Sequence, residues 1–152
     1  MGRVPEFRRI VRICGTDLDG TIKLAYGLSR IKGVGIRLAH AVMTVAKLDP
    51  EMRLGQLSDG DVARVESIIK DPLSYGISPW LVNRRRDRET GDDLHLIGSD
   101  LVLRTKMDID FLKKIGCRRG IRHALGLKVR GQRTKATGRR GVAVGVRRKR
   151  RR

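Results

Sequence analysis

Arg118, Arg119, Arg122 and His123 crowd into one short stretch, and Arg130, Gln132, Arg133, Thr134 and Lys135 follow within a dozen positions. Further on come Arg139, Arg140, Arg147, Arg148, Lys149 and Arg150. The chemistry available to such a set is the gripping of phosphate. A guanidinium fork donates two parallel hydrogen bonds to phosphate oxygens, and its charge persists at any physiological pH. Glycines at 120, 126, 131, 138, 141 and 145 let the chain bend between these contacts. A second, weaker signal is Gly33-Val34-Gly35, flanked by Lys32 and Arg37. If a helix starts at Gly35, its first amides point outward and favour an anion. The alternative is a tight helix-helix turn that holds nothing. The run Arg84-Arg85-Arg86 is a third candidate, and it either touches nucleic acid or faces water.

Material for catalysis is poor. His40 lies in an apolar helical pattern, His95 in a loop and His123 among arginines, where donating to phosphate or packing is the simpler role. No HExxH, GxSxG or phosphate loop ending in Gly-Lys-Ser/Thr occurs. Asp17 and Asp19 beside Gly20 read as a turn before they read as a metal site. Cys14 and Cys117 are too few and too far apart for a CxxC site or a secreted disulfide framework, so reduced, buried thiols are expected. No cofactor is implied beyond Mg²⁺ carried by a bound nucleic acid.

The charge is large and lopsided. Of a formal net +19, the segment from Arg104 to Arg152 carries +17, with 19 Lys and Arg against Asp108 and Asp110, whereas residues 1–103 carry only +2. A polycation of this density repels itself until a polyanion neutralises it. Aromatic residues make up 3%, which excludes a sheet platform that stacks successive bases and leaves backbone and shape contacts to dominate. No apolar run approaches the ~20 residues that span a bilayer, and the first residues lack the apolar centre of a signal peptide, so a cytoplasmic location without membrane association is expected.

Elements must position these groups. Residues 7–14 alternate charged and β-branched side chains and read as a short extended segment, with a turn at Asp17-Leu18-Asp19-Gly20. Ile22, Ala25, Leu28 and Ile31 predict a first helix from Thr21 to about Gly33. Leu38, Ala39, Val42, Met43 and Ala46 predict a second, from Gly35 to before Asp49-Pro50. Ser58 and Asp61 frame the start of a third, which packs Val62, Val65, Ile68 and Ile69 and breaks at Asp71-Pro72. An irregular stretch, Ser74 to Leu96, is expected to be anchored on the core by the single tryptophan, Trp80. Ser99 is placed as the cap of a long helix through Leu101, Met107, Phe111, Leu112 and Ile115, stopped by Gly116. A short helix follows from Arg118 to Leu125. Beyond Leu127 the sparse apolar residues cannot build a core, so a tail that orders on RNA is expected. The class is therefore mainly α. It divides into a helical domain over 1–98 with a loop at 71–98, a helical connector at 99–126 and an extended basic tail at 127–152.

Three stretches carry a resemblance: Ile31-Lys32-Gly33-Val34-Gly35, Gly116-Cys117-Arg118-Arg119-Gly120-Ile121-Arg122-His123, and Val129-Arg130-Gly131-Gln132-Arg133-Thr134-Lys135. With them the chain resembles the universal small-subunit ribosomal protein thirteen family over nearly its whole length. The extra region including Pro79-Trp80-Leu81-Val82-Asn83-Arg84 and the stretch Thr137-Gly138-Arg139-Arg140-Gly141 are similar to the archaeal and eukaryotic branch, and Arg133 in the Gly-Gln-x-Thr block with the Cys14-Gly15-Thr16-Asp17 opening inclines to the archaeal form. The resemblance implies a helix-two-turn-helix domain, a long helix and a tail threading into ribosomal RNA in the head of the small subunit. It also implies neighbours: small-subunit protein nineteen, large-subunit protein five at an intersubunit bridge, and peptidyl-site tRNA. Residues 130–135 would then hold rRNA, with Arg147 to Arg152 reaching toward tRNA. Two rivals remain. A DNA-repair protein shares the helix-two-turn-helix but needs a catalytic Lys, Asp or N-terminal Pro, and Pro5 is not terminal. A histone-like compactor explains the charge but not the block from Arg130 to Lys135.

Overall fold

A computed structural model describes residues 7–135; the sequence readings at Arg139, Arg140, Arg147, Arg148, Lys149 and Arg150 lie outside the described residues. The described chain is mainly α, as its periodicity predicts, with one two-stranded sheet. Strands β1 (Ile10–Ile13) and β2 (Thr16–Asp19) pair antiparallel, with Ile13 opposite Thr16 and Val11 opposite Leu18. The turn is therefore Cys14-Gly15, not Asp17-Leu18-Asp19-Gly20. Both its residues have positive φ, 48° and 71°, the two-residue hairpin geometry that matches strand twist. Burial of Val11, Ile13 and Leu18 on one face selects this register, because a slip of one residue would turn all three outward. Asp19 bends the chain one step later, its carboxylate accepting from the backbone N–H and hydroxyl of Thr21 at 2.9 and 2.7 Å.

Helix α1 (Leu24–Leu28) is shorter than the stripe from Thr21 to Gly33 predicts. Extended pairing shortens it: the Leu54 N–H donates to the Ile22 carbonyl at 3.0 Å and the Leu24 N–H to the Met52 carbonyl at 2.9 Å, so Ile22 and Lys23 are held out of helical geometry. Helix α2 (Ile36–Ala46) starts after Gly35 as expected and closes through Lys47 in the left-handed region. Helix α3 (Asp59–Lys70) opens with the reciprocal Ser58 and Asp61 bonds the sequence suggests, at 3.2 and 3.3 Å. One contiguous core joins Ile13, Leu24, Leu28, Ile31, Val42, Met43, Leu54, Leu57, Val65, Ile68 and Ile69, all buried. Each such side chain contributes about 1.5–3 kcal/mol relative to exposure.

Trp80 does not anchor the following loop: it is 68% exposed on a 3₁₀ turn, Pro79–Leu81. Ile77 and Val82, both buried, flank that turn and do the anchoring, which leaves the tryptophan outside. The loop is closed by a bridge between Arg84 and Leu94 and by Asn83, whose side chain donates to the Leu96 carbonyl at 2.6 Å and accepts from the Leu96 N–H at 2.9 Å. Helix α4 (Gly98–Ile115) begins at Gly98, whose N–H donates to the Lys32 carbonyl at 2.8 Å, so Ser99 lies inside the first turn and is not its cap. Gly116 with φ 70° ends α4, and α5 (Arg118–Ala124) follows. The described chain falls into two compact units that part between Arg104 and Thr105, within α4.

Candidate nucleic-acid interface

In the first unit, Gly33 has φ 102°, and a Cβ there would sit 2.4 Å from the Leu96 carbonyl oxygen. The close approach that glycine permits is thus made to this chain's own backbone. Gly35, by contrast, faces open space, and no side chain caps the amides that open α2. Lys32 and Arg37 are exposed beside it. His40 is exposed on α2, a surface histidine.

The arginine run divides by its contacts. Asp87, 3% exposed, is the one buried charged side chain among the described residues. It accepts from the Arg84 Nε and, at 2.6 Å, from an Arg104 terminal nitrogen, which also lies 3.0 Å from Glu89. The Arg84 hydrogen bond, followed by that of Arg104, holds the Asp87 carboxyl well below the usual carboxylate range. Arg84 is thereby engaged inside the fold, whereas Arg85 and Arg86 are exposed.

The second unit is built round one contact. Cys117 caps α5, its sulfur accepting from the Gly120 N–H at 3.4 Å while the thiol donates to the Leu112 carbonyl of α4 at the same distance. Gly120 lies directly on α4: a Cβ there would come within 2.0 Å of the Leu112 carbonyl oxygen. Only glycine lets α5 dock at this depth. A seven-residue helix is far below the ~12–15 residues that are even marginal alone, so this seat maintains it. After α5 the chain is turned back by the Arg122 Nε donating to the Lys128 carbonyl at 3.0 Å. The Arg130 N–H donates to the Gln132 side-chain oxygen at 3.1 Å.

These contacts open a cleft of about 680 Å³. Arg118, Arg119 and His123 of α5 and Arg130 beyond it line the cationic side. Ile109 and Leu112 of α4, with Val129, are half-buried and form its apolar floor, and Thr105 and Asp108 complete the lining. Asp110, the other acid of this unit, is paired with Lys113 at 2.9 Å. Four of the residues singled out by sequence are thus brought together; Gln132, Arg133, Thr134 and Lys135 follow as exposed residues, and Arg122 is turned to the Lys128 carbonyl. Sequence reasoning passed over Gly120, Ile109, Leu112 and Val129 as parts of the site. The spacing of Cys117 and Gly120, a cap and its third residue, was the available signal. Among the described residues no cluster of His, Cys, Asp and Glu could hold a metal, and no helix is long and apolar enough to cross a membrane.

The family model described as ribosomal protein S13/S18 matches residues 12–140, a span that includes both the core of the first unit and the cleft of the second. The chain is 54% identical to small ribosomal subunit protein uS13 of Staphylothermus marinus, with 99% of this chain and 100% of that protein covered. It is 52% identical to the uS13 of Aeropyrum pernix, with 95% and 97% covered, and 53% identical to that of Methanopyrus kandleri over the same shares. The chain belongs to the ribosomal protein S13/S18 family. Ribosomal S13/S18 proteins are structural RNA binders, not enzymes. The three named relatives are archaeal, the branch toward which Arg133 and the Cys14-Gly15-Thr16-Asp17 opening incline.

Proposed function

We propose that this ribosomal protein is a structural constituent of the small subunit, and that it binds ribosomal RNA through the cleft of its second unit and the basic residues that follow. The observation that carries the reading is the convergence of Arg118, Arg119, His123 and Arg130 on one opening beside the helix-helix seat, with Asp108 the one acid among the lining residues described. The helix-helix seat fixes the backbone from which Arg118, Arg119 and His123 project before RNA arrives. Residues 130–135 continue the grip as exposed chain, and 136–152 extend it in sequence with further arginines. Lys32, Gly33, Gly35 and Arg85 are secondary phosphate contacts in this reading, with the uncapped start of α2 as their centre.

The finer assignment follows from the resemblance. The protein sits in the head of the subunit beside protein nineteen, meets large-subunit protein five at an intersubunit bridge and extends its terminal arginines toward peptidyl-site tRNA. Its location is the cytoplasmic ribosome. What supports this is identity of about half the residues across nearly the full length of the named uS13 proteins.

The test is sedimentation of the tagged protein from its own cells at low and high monovalent salt. Co-migration with small subunits that survives moderate salt is expected. Migration with DNA, or at the top of the gradient, would overturn the reading.

A further inference from the structure

The cleft is more than a phosphate clamp. A phosphate needs donors alone, yet this opening pairs its arginines with the apolar floor of Ile109, Leu112 and Val129. A floor of that kind stays wet under a phosphate. It suits a nucleobase, which offers it an apolar face. The volume, about 680 Å³, lies within the ~300–1,000 Å³ that small organic groups occupy in proteins.

We propose that the cleft receives one unpaired ribonucleotide. Its base lies on Ile109, Leu112 and Val129 beneath a guanidinium plane or the His123 ring, and its neighbouring phosphates rest on Arg118, Arg119 and Arg130. This deepens the rRNA-binding reading and rests on it. A paired stretch cannot enter, because an A-form duplex keeps its bases inside and presents a convex backbone to a concave site. A bulged or looped nucleotide enters at least cost, since it has already lost its partner. The chain is poor in aromatics, so the stacking surfaces are arginine planes and a single imidazole, which limits the site to one base and not a run.

The experiment titrates the full-length protein into three RNA hairpins of equal stem: fully paired, carrying one bulged nucleotide, and carrying the same bulge as an abasic sugar. The bulged hairpin is expected to bind about tenfold more tightly than the paired one, and the abasic hairpin to fall back to the paired value. Val129→Ser, which places a hydroxyl on the floor, is expected to bring the bulged hairpin down to the affinity of the abasic one measured with the same variant. Equal binding of all three hairpins overturns the single-nucleotide site and leaves rRNA binding standing. Failure to bind any of them overturns the rRNA-binding reading itself.

Discussion

Replacing Gly120 with alanine pits two effects of opposite sign against each other. Alanine is the better helix former by about 1 kcal/mol, so propensity alone predicts a firmer α5. Against this, the new methyl would lie 2.0 Å from the Leu112 carbonyl oxygen and 2.7 Å from the Lys113 nitrogen. Both are backbone atoms inside α4, neither can rotate away, and overpacking against fixed atoms costs about 1–3 kcal/mol or more. Sterics should win. Because α5 is too short to persist alone, its displacement removes Arg118, Arg119 and His123 from the cleft together. With a slope of roughly −0.7 per phosphate contact on single-stranded RNA, losing the two guanidinium contacts makes the dependence of log affinity on log salt shallower by about 1.4. Filter binding across a salt series measures this slope. Hydrogen exchange at the Ile121 and Leu125 amides, which donate to the Cys117 and Ile121 carbonyls at 3.0 Å, reports α5 directly. An unchanged slope with slower exchange would mean that propensity prevails, and the argument for Gly120 as the seat of the site would be refuted.

Other expected outcomes follow from the first unit. Neither ring nitrogen of His95 has a hydrogen-bond partner, and burial pushes its pKa down. The unfolded chain therefore takes up this proton first as pH falls, so the contribution to stability is whole above about 6.5 and is lost below it. His95→Phe should remove that loss and raise stability at neutral pH by about 1 kcal/mol through deletion of the unsatisfied nitrogens, as read by urea denaturation at pH 7 and pH 5. Asp87→Asn should leave Arg84 and Arg104 without their shared carboxylate and open residues 83–96 to limited proteolysis while α2 and α3 remain protected; a loop as resistant as in the parent would contradict the role given to Asp87. The native ion pair itself should weaken only as pH falls below about 3.8, because the folded pKa lies lower than the unfolded one. Burial, with Glu66 nearby, pushes the Cys14 thiol up to about 11, so iodoacetamide at pH 8 should modify Cys14 only slowly until urea unfolds the protein.

Much of the first unit was legible because its signals are local. Ser58 with Asp61, Gly35, and the apolar spacing from Leu38 to Ala46 each place a helix boundary or face with no knowledge of distant residues. The errors arose where a distant segment overrode a local signal. Ile22 fits a helical stripe but pairs with Leu54, and Asp17 to Gly20 spells a turn but pairs with β1. Trp80 is large and apolar, yet Ile77 and Val82 occupy the core positions first. The cationic half of the site was visible in composition because arginine needs no partner to announce itself. Its apolar half was not: Ile109 and Leu112 look like any core positions of an amphipathic helix, and Val129 like an isolated residue in a basic segment. Only the approach of α5 to Leu112, which rests on the missing side chain at Gly120, turns those three into a floor.

Asp87 has a consequence for selectivity. A protein with 35 lysines and arginines faces a cell full of polyanions, and each uncommitted cation increases its retention on the wrong ones. By holding Arg84 and Arg104 on a carboxylate of its own, the fold keeps two guanidinium groups from such competition while using them to close a loop. Discrimination in this molecule thus comes partly by subtraction: charge that would make it indiscriminately sticky is turned inward, and what remains outside is concentrated where shape can choose among RNAs.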